Sequence, residues 1–153
     1  MKILTVCLGN ICRSPMAQGI LRNKIKKKGL KITVDSAGTS DYHVDALPDP
    51  RARKVLNEHN IDISDLRGRQ FTPDDFDTFD LILAMDEDNY ENILAQARKN
   101  SDNQKVEMLM NYLYTGENIS VPDPYFGDIN SFHTVYELID KATDQLLMSV
   151  TSS

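Results

Sequence analysis

The chain begins with an apolar run, residues 3–6, which stops at a cysteine and is followed by a glycine-containing loop and then by an apolar-periodic segment from Pro15 onward. The run is typical of a buried strand, and the periodicity after the loop is typical of a helix. In a strand–loop–helix unit, the backbone N–H groups of the loop converge on one point, where the helix dipole adds positive charge. The sequence therefore predicts an anion-binding loop directly after the first strand.

The first residue of this loop, Cys7, is a thiol. A field that binds an anion also stabilises a thiolate, so we expect Cys7 to be a nucleophile directed at the phosphorus of a bound phosphate ester. Gly9 removes a Cβ where the backbone turns tightly, and Asn10 is one of the few residue types that tolerate a left-handed conformation. Arg13 carries a planar guanidinium that holds two phosphoryl oxygens at once and keeps its charge.

The start of the following helix completes the loop. Ser14 is a good N-cap, and Pro15 suits the first helical position. The Ser14 hydroxyl is also able to donate to the Cys7 thiolate and so to ease its departure from phosphorus. We therefore predict a phosphate-binding loop that comprises Leu8, Gly9, Asn10, Ile11, Cys12, Arg13 and Ser14.

A second candidate lies far downstream, in the segment 122–127. A phosphate monoester releases an alkoxide or phenoxide unless a proton reaches the leaving oxygen, so a cysteine-phosphate mechanism calls for one positioned acid. Asp123 is favoured among the many carboxylates for two joint reasons. Pro122 and Pro124 restrict the backbone on both sides of it, and the aromatic pair Tyr125 and Phe126, then Gly127, follows on the same loop.

Composition limits the remaining classes of protein. With 153 residues, the chain is long enough to form one domain, 1–153, with a proper core. Its net charge of −6 argues against a nucleic-acid partner. No stretch approaches the ~18 apolar residues of a membrane span, and the start of the chain lacks the apolar region of a signal peptide. We therefore expect a cytoplasmic protein without a membrane partner. The sequence leaves the oligomeric state open, and a monomer is our expectation.

The cysteines and histidines bear on cofactors and on redox chemistry. The three histidines are scattered without metal-ligand spacing, and the two cysteines form no disulfide framework, so we expect neither a metal nor another cofactor. Both thiols lie within one small loop, which predicts that Cys12 is a redox partner that traps an oxidised Cys7 as a disulfide. The alternative is that Cys12 is a small buried hydrophobe under the loop.

Along the whole chain, apolar runs alternate with helical patterns. The patterns predict strands at residues 2–6, 31–35, 81–85 and 105–109, and helices at 15–28, 49–60, 87–98 and 129–148. Strands that are separated by helices need crossover connections, which favour a parallel sheet. Such sheets bind ligands beyond the C-terminal ends of their strands, and Cys7 follows the first strand at that end.

Two signatures identify a family resemblance. Residues 6–15 read Val-Cys-Leu-Gly-Asn-Ile-Cys-Arg-Ser-Pro and residues 122–125 read Pro-Asp-Pro-Tyr, with further matches at 35–39, 48–51 and 79–86. In these segments the chain resembles the low-molecular-weight protein tyrosine phosphatases. The resemblance implies a single-domain α/β three-layer sandwich with a central four-stranded parallel sheet flanked by helices. It also implies hydrolysis of phosphotyrosine through a cysteinyl-phosphate intermediate without a metal.

The same resemblance assigns roles to individual residues. Cys7 would be the nucleophile, Arg13 the phosphate clamp and Asp123 the general acid. Tyr42, in the loop 39–44, and Tyr125 would be the walls of a slot deep enough for a phenyl phosphate. Because the shorter phosphoserine would not reach the thiolate in such a slot, we expect phosphotyrosine-containing proteins or small aryl phosphates as substrates.

The polar support of the phosphate loop departs from the family pattern at one position. Ser36 and Asn10 resemble the family's supporting residues, but the histidine that usually precedes the Arg-x-Arg-Gln segment is Leu66 here. This substitution predicts that the usual Asn–His support of the loop is altered, whereas the chemistry of the loop itself is retained.

Three other functions compete with the phosphotyrosine assignment. An arsenate reductase of related fold would need further cysteines downstream, and the chain has none after Cys12. A non-catalytic phosphotyrosine-binding protein would not need both Cys7 and Asp123. A protein arginine phosphatase of the same family shares both signatures, although its arginine-directed members tend to carry Thr at the position of Ile11 and Phe at that of Tyr125. The arginine phosphatase is therefore the main alternative.

Overall fold

Four parallel strands form the centre of the computed structural model, which describes residues 1–152. The strands are β1 (Lys2–Cys7), β2 (Thr33–Gly38), β3 (Leu81–Ala84) and β4 (Val106–Met108), and they lie in the order β2-β1-β3-β4. All three pairings between neighbours are parallel. The four-stranded parallel sheet that the resemblance implies is confirmed.

Helices cover both faces of this sheet. They are α1 (Arg13–Lys28), α2 (Pro50–Asn57), α3 (Asp75–Thr78), α4 (Glu87–Ala95), α5 (Asn100–Asn103), a 3-10 helix (Leu109–Tyr112) and α6 (Ile129–Thr151). Successive side chains of a strand point to opposite faces, and accordingly Ile3 packs in one core with α1, α2 and α6, whereas Leu4 packs in another with α3 and α4. Two cores on opposite faces of one sheet make the expected three-layer sandwich.

Strand β1 positions the site. All of its residues after Lys2 are buried, because the strand has a neighbouring strand on each side and helices on both faces. Its sequence is therefore an almost uninterrupted run of apolar residues. The one polar member, Thr5, donates its hydroxyl to the carbonyl oxygen of Ser14 at 2.9 Å. The chain leaves β1 for β2 on one side and later forms β3 on the other. The C-terminal ends of β1 and β3 therefore border the crevice in which open α/β sheets bind ligands.

Several element boundaries differ from the predicted ones. Strand β2 begins at Thr33 rather than at residue 31, and it continues through the small residues 36–38 because β1 offers pairing partners as far as Cys7. Helix α4 ends at Ala95 rather than at residue 98. The four-residue helices α3 and α5 and the 3-10 helix were not predicted, since so short a segment shows no periodicity.

The prediction that Ser14 is the N-cap of the first helix is wrong. Helix α1 begins at Arg13, and its N-cap residue, Cys12, makes no side-chain capping bond. Ser14 lies inside the first turn, where its hydroxyl contacts Cys7 and Asn10 instead of the helix backbone. The first N–H groups of the helix are therefore not capped by a side chain, as an anion-binding helix start requires.

Helix α6 is the longest element and begins as predicted. Asp128 is its N-cap and accepts a hydrogen bond from the N–H of Ser131 at 3.2 Å. The apolar positions that recur at three- and four-residue steps, including Phe132, Val135 and Ile139, are buried in the core that α6 shares with α1, α2 and one face of the sheet. Within residues 1–152, no helix combines the length and the apolar character that crossing a bilayer takes.

Candidate active site

The loop after β1 folds back over its own first residue. Asn10 has a φ of 57°, a left-handed conformation that few residues other than glycine adopt at low cost. Its N–H donates to Cys7 Sγ at 3.3 Å, and Ser14 Oγ lies 3.0 Å from the same sulfur. The Cys7 residue is 3% exposed. Its thiol therefore lies at the base of the loop between two hydrogen-bonding partners.

The side-chain amide of Asn10 fixes the shape of the loop. Its Nδ2 donates to Ser14 Oγ at 2.8 Å and to Ser36 Oγ at 2.9 Å. Its Oδ1 accepts the backbone N–H of Arg69 at 3.0 Å. The Ser36 hydroxyl in turn donates to Gln18 Oε1 at 2.6 Å. A buried polar network whose members are all paired holds one arrangement of the backbone.

Leu66 takes no part in this network. It is half-buried and packs against the core that includes α1 and α2. The backbone of Arg69 supplies the donor to Asn10, and the Arg69 side chain is fixed by ion pairs with Asp35 at 3.2 Å and Asp75 at 3.1 Å. The loop thus keeps its support without the family's usual histidine.

Arg13 lies beside the loop and is also 3% exposed. Its Nη1 donates to Asp86 Oδ2 at 2.7 Å and to the carbonyl oxygen of Val121 at 2.9 Å. Burial alone would lower the pKa of the guanidinium, but Cys7 and the hydrogen bond to Asp86 raise the pKa above its ordinary value. Within residues 1–152, the Nε and Nη2 groups of Arg13 donate no hydrogen bond to protein, and Nη2 makes a long ion pair with Asp123. Both groups can therefore donate to a bound anion.

Asp123 lies across from Arg13. Its Oδ2 is 3.6 Å from Arg13 Nη2, and its Oδ1 accepts the N–H of Tyr125 at 3.1 Å. This hydrogen bond and the flanking prolines fix the direction in which the carboxylate points. The structure thus brings together Cys7, Arg13 and Asp123, which the sequence singled out in two segments far apart.

These three residues line one cavity of ≈ 230 Å³ beyond the C-terminal end of β1. The rest of the lining is mostly apolar or aromatic and comprises Leu8, Gly9, Ile11, Cys12, Tyr42, His43, Tyr125 and Phe126. Tyr42 and Tyr125, the two walls expected from the resemblance, both border the cavity and are 75% and 40% exposed. The cavity is therefore a slot with a thiol at its base and rings at its mouth.

Comparison with known proteins identifies the family of this chain. A family model for low molecular weight phosphotyrosine protein phosphatase matches residues 2–153. The chain belongs to this family. A putative low molecular weight protein-tyrosine-phosphatase from Synechocystis is 48% identical to it, over 98% of this chain and 96% of the relative.

Solved structures of the family include enzymes named for two different substrates. A protein tyrosine phosphatase from Entamoeba histolytica has a TM-score of 0.93 to this chain at 36% identity, and the match covers 99% of this chain and 97% of that one. An arginine phosphatase from Drosophila also has a TM-score of 0.93, at 33% identity, covering 100% and 99%. The overall fold therefore does not separate the two kinds of relative.

Two residues at the site of this family member were not predicted as functional. Asp86 directly follows a predicted strand of the parallel sheet, and that position is the signal that would have identified it. His43 lines the cavity with its ring over Gly9, where an added Cβ would lie 2.9 Å from His43 Cδ2. Its ring centroid is 6.3 Å from that of Tyr125. No sequence pattern distinguishes this histidine from the other two.

Cys12 lies on the inner side of the loop and borders the same cavity as Cys7. Burial, and after it the negative charges of Asp49 and Cys7, raises the pKa of Cys12 above its ordinary value. Cys12 is therefore a neutral thiol at neutral pH.

We expect Asn10→Ala to lower the free energy of unfolding by about 2–4 kcal/mol, because it removes buried hydrogen bonds and leaves an alanine in a left-handed conformation. It should also reduce turnover strongly, since Ser14 and the loop lose their partner. Leu66→Ala is the matched control, and its kcat should stay near the wild-type value. Urea denaturation and turnover of p-nitrophenyl phosphate measure the two effects, and an equal loss of kcat in both variants would contradict the role of Asn10.

Proposed function

We propose that this family member hydrolyses phosphotyrosine in proteins, and small aryl phosphates, through a cysteinyl-phosphate intermediate. The observation that carries the proposal is a single cavity with Cys7 at its base, Arg13 and Asp123 beside the thiol, and the rings of Tyr42 and Tyr125 at the mouth. A nucleophile, a phosphate clamp, an acid and an aromatic wall are the parts that hydrolysis of an aryl phosphate needs.

In the first step, Cys7 Sγ attacks phosphorus and the P–O bond to the phenol breaks, while Asp123 gives its proton to the leaving oxygen. Arg13 binds two equatorial oxygens through Nε and Nη2, and Asp86 holds the guanidinium in place through Nη1. The N–H groups of the loop and the dipole of α1 stabilise the charge on the other oxygens.

In the second step, water attacks phosphorus, the S–P bond breaks and inorganic phosphate leaves. Asp123, now ionised, takes the proton from the attacking water. Ser14 Oγ, 3.0 Å from the sulfur, stabilises the departing thiolate by donating a hydrogen bond. Cys7 and Asp123 thereby return to the states in which the cycle began.

The cavity walls favour a phenyl group over a guanidino group. Ile11 is buried and lines the cavity, and Tyr125 lies at its mouth. A flat phenyl ring packs well against such surfaces. The N–H groups of a phosphorylated guanidinium would instead find no acceptor where they face Ile11 or an aromatic ring, which costs free energy.

We expect kcat/KM for a phosphotyrosine peptide to exceed that for a phosphoarginine peptide of the same flanking sequence by at least about tenfold. Release of inorganic phosphate measures both. Cys7→Ser is the control and should be inactive on both peptides, because a hydroxyl offers no thiolate. A preference for phosphoarginine would contradict the tyrosine assignment, and clear turnover by the serine variant would contradict Cys7 as nucleophile.

Asp123→Asn should lower kcat/KM by about 10²–10³-fold on phenyl phosphate and much less on p-nitrophenyl phosphate, whose phenolate leaves without a proton. The comparison uses kcat/KM because this constant reports the steps up to cleavage of the P–O bond. Asp128→Asn is the matched control and should be unchanged on both esters, since asparagine also caps a helix. An equal loss on both esters would mean that Asp123 shapes the loop and donates no proton.

We also propose that Cys12 condenses with a Cys7 sulfenic acid to give a disulfide and water. After treatment with peroxide and then a thiol reductant, the wild type should recover most of its activity and Cys12→Ser much less. Because the raised pKa of Cys12 limits its thiolate, the protection should be stronger at higher pH. Equal recovery of the two proteins would instead identify Cys12 as a buried apolar residue.

A further inference from the structure

The loop that carries Asp123 has no helix or strand of its own and is anchored at both ends. At its start, the N–H of Val121 donates to the carbonyl oxygen of Met85 at 2.8 Å. The carbonyl oxygen of Val121 accepts a hydrogen bond from Arg13 at 2.9 Å. This first anchor belongs to the catalytic arginine described above.

The second anchor depends on one side chain, that of Arg51. Its Nη2 donates to the carbonyl oxygen of Tyr125 at 2.9 Å, and its Nη1 donates to that of Gly127 at 2.8 Å. The loop between the anchors is a tight turn, in which the N–H of Gly127 donates to the carbonyl oxygen of Pro124 at 2.9 Å. The N–H of Tyr125 donates to Asp123 Oδ1 at 3.1 Å. A group that fixes Tyr125 and Gly127 therefore also fixes the carboxylate of Asp123.

Arg51 is itself held on its other side. Its Nε and Nη2 donate to the two carboxylate oxygens of Asp49 at 3.0 and 2.9 Å, and its guanidinium carbon lies 4.5 Å from the centroid of the Phe132 ring. Asp49 is 8% exposed. Its backbone N–H donates to the carbonyl oxygen of Ile11, in the phosphate loop, at 2.8 Å. A continuous chain of hydrogen bonds thus runs from the phosphate loop to the far end of the segment 122–127, the acid loop.

We propose that Arg51 is a positioning residue that holds the proton donor Asp123 at a fixed place relative to the phosphate loop. This inference rests on the proposed function, in which Asp123 protonates the leaving group. In the described part of the chain, Arg51 is not among the residues that line the cavity, so it acts through Asp123 and does not touch the phosphate.

Only a guanidinium meets the geometric demand at this position. One planar fork pairs with a carboxylate below it and with two carbonyl oxygens above it, and its plane stacks on an aromatic ring. A lysine ammonium would keep the charge but, as a point donor, could not hold these acceptors at their separate places.

The test compares kcat/KM on phenyl phosphate, which needs the proton, with kcat/KM on p-nitrophenyl phosphate, which needs it much less. Arg51→Gln should lose about 10–100-fold on phenyl phosphate and less than about threefold on p-nitrophenyl phosphate, because a shift of about 1 Å in a catalytic group is enough for such a loss. Arg51→Lys should show the same selective loss, and this variant provides the test if the glutamine variant does not fold. Circular dichroism establishes that each variant is folded.

Arg53→Gln is the matched control. Arg53 lies on the same helix, α2, and donates to the carbonyl oxygen of Pro48 at 3.2 Å. Within residues 1–152 it makes no hydrogen bond or ion pair to the acid loop. Its activity on both esters should equal that of the wild type. In an Asp123→Asn background, Arg51→Gln should change kcat/KM on phenyl phosphate by less than about twofold, since the group that it positions is gone.

The outcomes separate this inference from the proposed function. An equal loss on both esters in the Arg51 variants, or a full loss that persists in the Asp123→Asn background, would overturn the role of Arg51. The proposed function stands in that case if Asp123→Asn alone still loses activity selectively on phenyl phosphate. If Asp123→Asn loses activity equally on both esters, Asp123 is not the acid, and the role of Arg51 falls with it.

Discussion

The shape of the site depends on Asn10, which has a left-handed backbone conformation and an inward-facing side chain. Asn10 turns the loop over Cys7 and directs its amide into the interior, where it bonds to Ser14, Ser36 and the backbone of Arg69. These partners belong to α1, to β2 and to the segment that returns to β2. A paired buried amide contributes about 1 kcal/mol per hydrogen bond, whereas an unpaired one costs more than that. The protein therefore sets the shape of the loop before any phosphate binds, and donors that are fixed in advance stabilise charge without reorganising.

The sequence predicts much of this because many of the deciding contacts are local. Strand β1, its loop and helix α1 are consecutive, so the apolar run, the residue types of the loop and the helical periodicity describe one unit. The parallel order of the sheet follows from strands that are separated by helices. Asp49 also lies between two prolines, so Asp123 is distinguished from the other carboxylates by its flanking prolines together with the aromatic pair that follows it on the same loop. In each case the physical constraint acts over a few residues and leaves a pattern there.

Contacts between distant segments leave no such pattern. Arg13 pairs with Asp86, 73 residues away, and with Val121, 108 residues away, and no periodicity encodes either contact. The side-chain oxygen of Asn10 accepts the backbone N–H of Arg69. Every residue except proline carries such an N–H, so the residue type at position 69 does not reveal this contact. Ser14 is a good cap by type, but tertiary partners compete for its hydroxyl and win. Local propensity is reliable only where no buried partner competes for the same atoms.

The base and the mouth of the cavity are built from different kinds of structure. The base comes from β1, α1 and β2, all within the first 38 residues, whereas the mouth comes from the segments 39–44 and 122–127, which contain no helix or strand. Substitutions of Tyr42 or Tyr125 in these two segments change what fits the mouth and leave the packed base untouched. Enzymes named for tyrosine and for arginine accordingly share this fold to the same degree. A change of leaving group in such an enzyme therefore needs new side chains at the mouth and at Ile11, one position of the anion loop, and no change of architecture.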